Sequence, residues 1–260
     1  MFEALISKAA DLKRIIEALK EMINEGNVKI DSEGISLQAM DASHVALIVL
    51  NMEATNFEEF RCDHRKTLGI PIQNLWKMMR IAGADDSIRL IADDTCTKLK
   101  IVSENSAGKV GDFDLNLIIL PEEQLEMQDI DHICEITMES SEFARICREL
   151  AVISDELAII ATKERIVFEV NGDAGKGQIC CNNGNCISKE QVLIDCKGSV
   201  QGSYALRYIN QFNKAALLGD RVFIKMAPDL PISFTFPFSL GSITYFLAPK
   251  LPEDVSNIVS

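Results

Sequence analysis

Glycine and proline are scarce in this sequence, at 14 and 7 of 260 residues, and tryptophan occurs once. That poverty excludes a collagen-like chain, a long flexible linker and a compositionally disordered protein. Positive charge is also short: 26 Lys and Arg face 39 Asp and Glu, a net charge of −13. A protein that coats nucleic acid by bulk charge is therefore excluded, and only a locally basic surface could meet phosphate. The longest uncharged run, Leu230 to Pro249, carries Pro231, Pro237 and Gly241, and Ile232, Phe234, Phe236 and Phe238 alternate with polar residues, so it reads as a strand and not a membrane span. The opening Met1-Phe2-Glu3 places an acid where a signal peptide has a basic region, so no export signal is expected. The eight cysteines are accordingly expected to be reduced thiols.

What is present is 47% hydrophobic residues in a chain long enough for one large domain or two ordinary ones. An internal repeat sets the organisation. Helical spacing at Leu12, Ile15 and Leu19 recurs at Phe143, Ile146 and Leu150, and the strand residues Ile35 and Leu37 recur as Ile166 and Phe168. A second helix, Ile72, Leu75 and Met78, recurs as Leu206, Ile209 and Phe212; its following strand, Ile88, Leu90 and Ala92, recurs as Val222, Ile224 and Met226. Four matches in order predict duplication. Each copy reads as two helices packed on antiparallel strands, an α+β fold, with Val45-Leu47-Val49 and Leu99-Ile101 alternation marking half-buried strands. Between the copies, Val110 to Glu142 holds ten acids and no Lys or Arg. The expected division is module 1 at 1–116, an acidic connector at 117–134 and module 2 at 135–260.

Charge is unevenly placed. Candidate helices at 8–24, 72–81, 141–150 and 206–218 hold ten basic residues and five acids, leaving the rest of the chain strongly negative. Solvated helix faces often carry Lys and Arg, and that is the bland reading. The asymmetry favours a basic helical surface on an acidic body, which attracts a polyanion locally. No aromatic residue is read between these bases, which argues against stacking on single strands, and no helix reads as a major-groove reader. The expected contact is with phosphate alone.

Signals of chemistry are weak. Gly172-Asp-Ala-Gly-Lys-Gly177 lacks the Ser or Thr of a phosphate loop and precedes a strand pattern, so it reads as a hairpin turn. Cys180, Cys181, Cys186 and Cys196 include no C-x-x-C pair, and no metal or other cofactor is expected. His44, His64 and His132 form no triad; His64 reads as a surface pair with Asp63. Asp85-Asp86 and Asp93-Asp94 read as solvated acids in turns. An enzyme is not expected.

The segments Met1-Phe-Glu-Ala4, Leu37-Gln-Ala-Met-Asp-Ala-Ser-His-Val45, Arg61-Cys-Asp63, Glu142-Phe-Ala-Arg-Ile-Cys-Arg-Glu-Leu150, Ala205-Leu-Arg-Tyr-Ile-Asn210 and Leu247-Ala-Pro-Lys250 carry a family resemblance. Over essentially its full length the chain resembles the eukaryotic DNA sliding-clamp family, that of proliferating cell nuclear antigen. The resemblance implies a DNA clamp fold and a head-to-tail homotrimeric ring around double-stranded DNA. It implies a nuclear processivity factor for a replicative DNA polymerase, active also in repair and translesion synthesis. The DNA-facing residues it implies are Lys13, Arg14, Lys20, Lys77, Arg80, Lys109, Arg148, Arg207 and Lys214.

It also implies a pocket for the short peptides of partners such as the polymerase, clamp loader, flap endonuclease and DNA ligase. Its positions are Met40, His44, Leu125, Met127, Ile130, Ala205, Pro231, Phe246, Ala248 and Pro249. The connector departs from the family at Met127-Gln128-Asp129 and His132. Lys163 matches a ubiquitin or SUMO acceptor. The implied subunit seam joins Lys109 to Asn116 with Gly175 to Cys181, Phe113, Leu115, Ile179 and Cys181 offering apolar sides and Lys109 and Lys176 facing Asp112 and Asp114. The alternatives are a non-encircling acidic scaffold that only docks peptides, and a checkpoint clamp subunit.

Overall fold

The computed structural model describes residues 1–121, 131–184 and 191–250. The first half runs β1 (Phe2–Ile6), α1 (Ala9–Lys20), β2 (Glu25–Asp31), β3 (Gly34–Met40), β4 (Ala46–Glu53), β5 (Glu59–Cys62), β6 (Lys66–Pro71), α2 (Ile72–Met79), β7 (Ser87–Ala92), β8 (Lys98–Glu104) and β9 (Val110–Asn116). The second repeats that order as β10 (Cys134–Glu139), α3 (Ser140–Leu150), β11 (Glu156–Ala161), β12 (Arg165–Gly172), β13 (Gly175–Asn182), β14 (Leu193–Cys196), β15 (Val200–Ala205), α4 (Leu206–Phe212), β16 (Arg221–Met226), β17 (Ile232–Phe238) and β18 (Gly241–Leu247). Cys134 thus belongs to a strand and not to the connector. The acidic centre of that connector, 122–130, lies outside the described residues.

The sheets show how the copies join. One sheet has the order β5-β1-β7-β8-β9, and another, β13-β12-β11-β15. Their duplicates fuse into a nine-stranded sheet, β14-β10-β16-β17-β18-β4-β3-β2-β6, in which β18 of the second copy pairs with β4 of the first. Alternating burial, as in β7 and β11, points one face of each sheet into a single hydrophobic cluster that spans both copies.

The helices close that core by burying an apolar stripe: Leu12, Ile15, Ile16 and Leu19 of α1, and Phe143, Ile146, Cys147 and Leu150 of α3. α3 matches its expected span to within one residue, whereas α1, α2 and α4 are shorter than their patterns predict. α1 stops at Lys20, and beyond the turn that follows it the Asn24 carbonyl accepts from the Ile72 N–H at the start of α2. α2 ends at Met79, and α4 passes at Asn213 into a 3-10 turn that ends at Leu217. That turn packs against both α1 and α3, and α1 packs on α2, so the helices form one continuous layer.

Four side-chain expectations are corrected. In β4 the core side is Ala46, Ile48 and Leu50, while Val45, Leu47 and Val49 are half-buried on the other face; both faces are apolar, so alternation could not choose between them. Cys134 and Cys196 are not free thiols: they are directly opposed in the β10–β14 ladder and joined by a disulfide. The duplicate pair in the first copy is Phe2 opposite Cys62. Finally, Asp63 pairs with Arg61, at 2.8 Å, instead of with His64. Asp94 is not merely solvated: hydrogen bonds from Lys66 and the Met1 amine hold its carboxyl down to about 2.

Candidate nucleic-acid and partner interfaces

The exposed side of the helix layer carries the basic residues. Arg14, Lys77, Arg80, Arg148, Arg207 and Lys214 are exposed, and Lys13 and Lys20 are half-buried. The Lys13 ammonium donates to the Ala82 carbonyl just beyond α2, so part of its charge is spent locally. Lys109 is exposed but lies on the turn before β9 and not on a helix; its N–H donates to Asn105 Oδ1. Arg145, on the same exposed face of α3, is gripped by Glu142 and Glu149, and these partners raise its guanidinium above the ordinary value. That double pairing removes it from the free cations.

One expectation about this surface fails. Trp76 does interleave the bases: its ring centroid lies 4.3 Å from Lys20 Nζ and 5.0 Å from Arg80 Cζ. Lys20 and Trp76 sit on different helices, so only the packing of α1 on α2 brings them together.

Of the residues expected to form the partner pocket, Met40 and Phe246 lie on the face of the nine-stranded sheet opposite the helices. Ladder register puts Met40 opposite Leu47, Leu47 opposite Phe246, and Phe246 opposite Ser233, a row crossing four strands. Leu47 and Ser233 are members of this row that motif matching missed. Pro231 precedes β17, Ala248 and Pro249 follow β18, and Ala205 ends β15 before α4. A groove of about 310 Å³ runs from Met40 toward Leu120 and Pro121, and another of about 610 Å³ is bounded by Leu230, Pro249 and Lys250. Leu125, Met127 and Ile130 lie outside the described residues.

His44 is held at the rim of this row by Asp41. His44 is exposed and adopts φ 55°, a left-handed conformation that a non-glycine residue needs help to keep. The buried Asp41 carboxylate supplies it, accepting from the N–H groups of Ser43 at 2.9 Å and of Val45 and Ala46 at 2.8 Å each. Tyr208 of α4 donates a fourth bond across the chain, at 3.1 Å. Burial pushes the Asp41 carboxyl up, but these donors outweigh it and the net shift is downward.

Sheet edges are managed unequally. β5 and β14 are only four residues long. The edge of β6 is covered where Ile118 bridges Gly69, so closely that a Cβ on Gly69 would lie 2.0 Å from the Ile118 carbonyl oxygen. The corresponding edge of β15 receives the Lys250 N–H at the Ser203 carbonyl, 2.7 Å. Among the described residues this leaves β9 and β13, seven and eight residues long, as the extended free edges.

Side chains there differ from expectation. Leu115 is buried in its own module's core, and Phe113, Ile179 and Cys181 also pack partly against it. Asp112 and Asp114 already pair with Lys100 and Lys98 on β8, at 2.7 and 3.1 Å. The Gly172–Gly177 segment is a hairpin, Gly172 facing Gly175 across the β12–β13 turn. Lys163 is exposed on the β11–β12 turn, its carbonyl accepting from Asn183 Nδ2 at 2.9 Å. Of the four cysteines weighed as a zinc set, Cys196 is consumed by the disulfide and Cys186 lies outside the described residues.

Two family models cover nearly the whole chain: the proliferating cell nuclear antigen N-terminal domain matches residues 1–126, and the C-terminal domain of the same family matches residues 126–250. Clamps of this family are non-enzymatic scaffolds that act on DNA. The two matched domains, with two helices on antiparallel sheets in each half, place the chain: it belongs to the proliferating cell nuclear antigen family of DNA sliding clamps.

Proposed function

We propose that three copies of this chain close head to tail around duplex DNA in the nucleus. The ring tethers a replicative DNA polymerase as its processivity factor. It also docks a clamp loader, flap endonuclease, DNA ligase and repair and translesion factors through short peptides at the Met40–Leu47–Phe246 row. Lys163 is the proposed ubiquitin or SUMO acceptor.

The observation that carries this reading is the β18–β4 joint. By duplication β9 is the counterpart of β18 and β13 the counterpart of β4, so the two long free edges are the halves of a joint the chain already makes once. Two unlike surfaces that meet head to tail generate a ring when the rotation closes. Carrying the intrachain register over, Tyr245 opposite Ile48 becomes Phe113 opposite Gly177 of the next copy.

Phosphate-only contacts from the helix layer give weak attraction, with Kd typically about 10⁻⁴–10⁻⁶ M for non-specific binding. Such contacts permit sliding, and enclosure supplies the residence time. Light scattering tests the assembly: a mass of about 86 kDa, three times 28.8 kDa, is expected. Phe113→Ala should shift it toward monomer. A wild-type monomer at micromolar concentration would favour the non-encircling scaffold instead.

A further inference from the structure

We propose that Trp76 is a positioning residue of the DNA-facing surface, holding Lys20 and Arg80 against its ring as one phosphate-contacting pair. The inference rests on the reading that the helix layer faces DNA. Its own observation is local. Lys20 is the last residue of α1 and Arg80 the first beyond α2, so both cations sit at helix C-termini, where the backbone carbonyls favour positive charge. The indole of Trp76 offers both of them its electron-rich ring, with Nζ 4.3 Å and Cζ 5.0 Å from the centroid.

Further contacts fix the frame. Gln73 Nε2 donates to the Lys20 carbonyl at 3.1 Å, and Lys13 donates to the carbonyl of Ala82, so the ends of α1 and α2 are tied from both sides. Glu21 takes one side of the Lys20 ammonium at 3.2 Å. The Lys20 side chain is left only 16% exposed, unusual for a surface lysine.

The chemistry follows from entropy and hydration. A free lysine or arginine loses much rotamer freedom when it grips a phosphate. Here the ring has already confined two of them to one patch, so less freedom is left to lose when phosphate arrives. The ring itself is half-buried, which suits a platform for cations better than a surface for bases. Arg207 has a ring contact of its own, Cζ 5.1 Å from the centroid of its helix neighbour Tyr208; Trp76 differs in gathering two cations, one from each of two helices, at a single ring.

The test uses the intact chain and a short blunt-ended duplex, which can thread a ring end-on without a loader. Affinity is measured across a salt series for wild type, Trp76→Phe and Trp76→Leu, each with and without Lys20→Ala. Trp76→Phe should bind within about twofold of wild type, because a phenyl ring retains cation–π attraction. Trp76→Leu should bind about two- to fivefold more weakly, with a salt slope lower by up to about one unit. Lys20→Ala should cost less affinity in the Leu background than in wild type. In wild type, emission from this sole tryptophan should change as duplex is added.

Equal affinity and slope for Trp76→Leu and wild type, or an identical Lys20→Ala penalty in both backgrounds, would overturn the proposal. If Trp76→Leu melts early, Trp76→Met gives the comparison in a folded chain. Lys214→Glu separates the two levels: if it weakens binding while the Trp76 variants do not, this inference alone fails. If no charge reversal on the helices affects binding, the DNA-facing reading fails with it.

Discussion

Replacing Asp41 by Asn exchanges one carboxylate oxygen for an amide nitrogen, and the structure says which bond suffers. Oδ1, with its bonds to the Val45 and Ala46 N–H groups, can be kept as the amide oxygen. The nitrogen then faces the Ser43 N–H, a donor against a donor, where Oδ2 accepted at 2.9 Å; the Tyr208 hydroxyl can turn to accept. One charge-assisted bond is lost outright and two others lose their charge, a destabilisation of roughly 2–3 kcal/mol. Urea denaturation at neutral pH measures it.

The pH dependence carries a sign. The folded Asp41 carboxyl titrates below its ordinary value of 3.8, so its contribution is full above that value and is lost as pH falls through the folded value. The gap between wild type and Asp41→Asn should therefore be constant near neutrality and close in acid. The same variant should dock a clamp-interacting peptide more weakly, because the turn presenting His44 is no longer fixed. A neutral-pH difference below about 0.5 kcal/mol would refute the claim that this carboxylate organises the loop.

Three further outcomes follow from the geometry. Reversing Lys77, Arg148 and Arg207 to Glu should abolish polymerase stimulation on primed DNA while leaving the oligomer mass unchanged, and each lost phosphate contact should flatten the salt slope by about one unit. Leu47→Ala and Phe246→Ala should each weaken peptide docking by more than about 1 kcal/mol in calorimetry, the usual cost of truncating an interface anchor. Tyr245→Phe should leave stability unchanged or raise it by roughly 1 kcal/mol in denaturant melts, since the Tyr245 hydroxyl is buried among the described residues without a hydrogen-bond partner.

The duplication was legible because two copies of one packing problem keep the same apolar spacing, as Leu12, Ile15 and Leu19 do with Phe143, Ile146 and Leu150. Helix existence was legible for the same reason; the end of α1 was not, because the turn that carries Asn24 to the Ile72 N–H is a tertiary contact that periodicity does not record. Pairings between distant strands were hidden. Nothing near Cys134 announces Cys196, and only the β10–β14 register brings the two together. The partners of Asp112 and Asp114 were misjudged because β8, the ladder neighbour, offers Lys100 and Lys98 within the same chain. Trp76 was overlooked because spacing along one helix cannot show that a second helix lays a lysine across its ring. The joint of β18 to β4 brings together strands from opposite ends of the chain, and periodicity contains no trace of it.

Encirclement is the central claim, and topology tests it more directly than affinity. The protein is loaded onto closed circular duplex DNA by a clamp loader, freed of unbound material on a sizing column and followed over time before and after one restriction cut. An enclosing ring held by weak phosphate contacts remains on the circle and leaves quickly once ends exist. Departure at the same rate from circular and linear DNA would contradict the account, whatever the mass of the assembly.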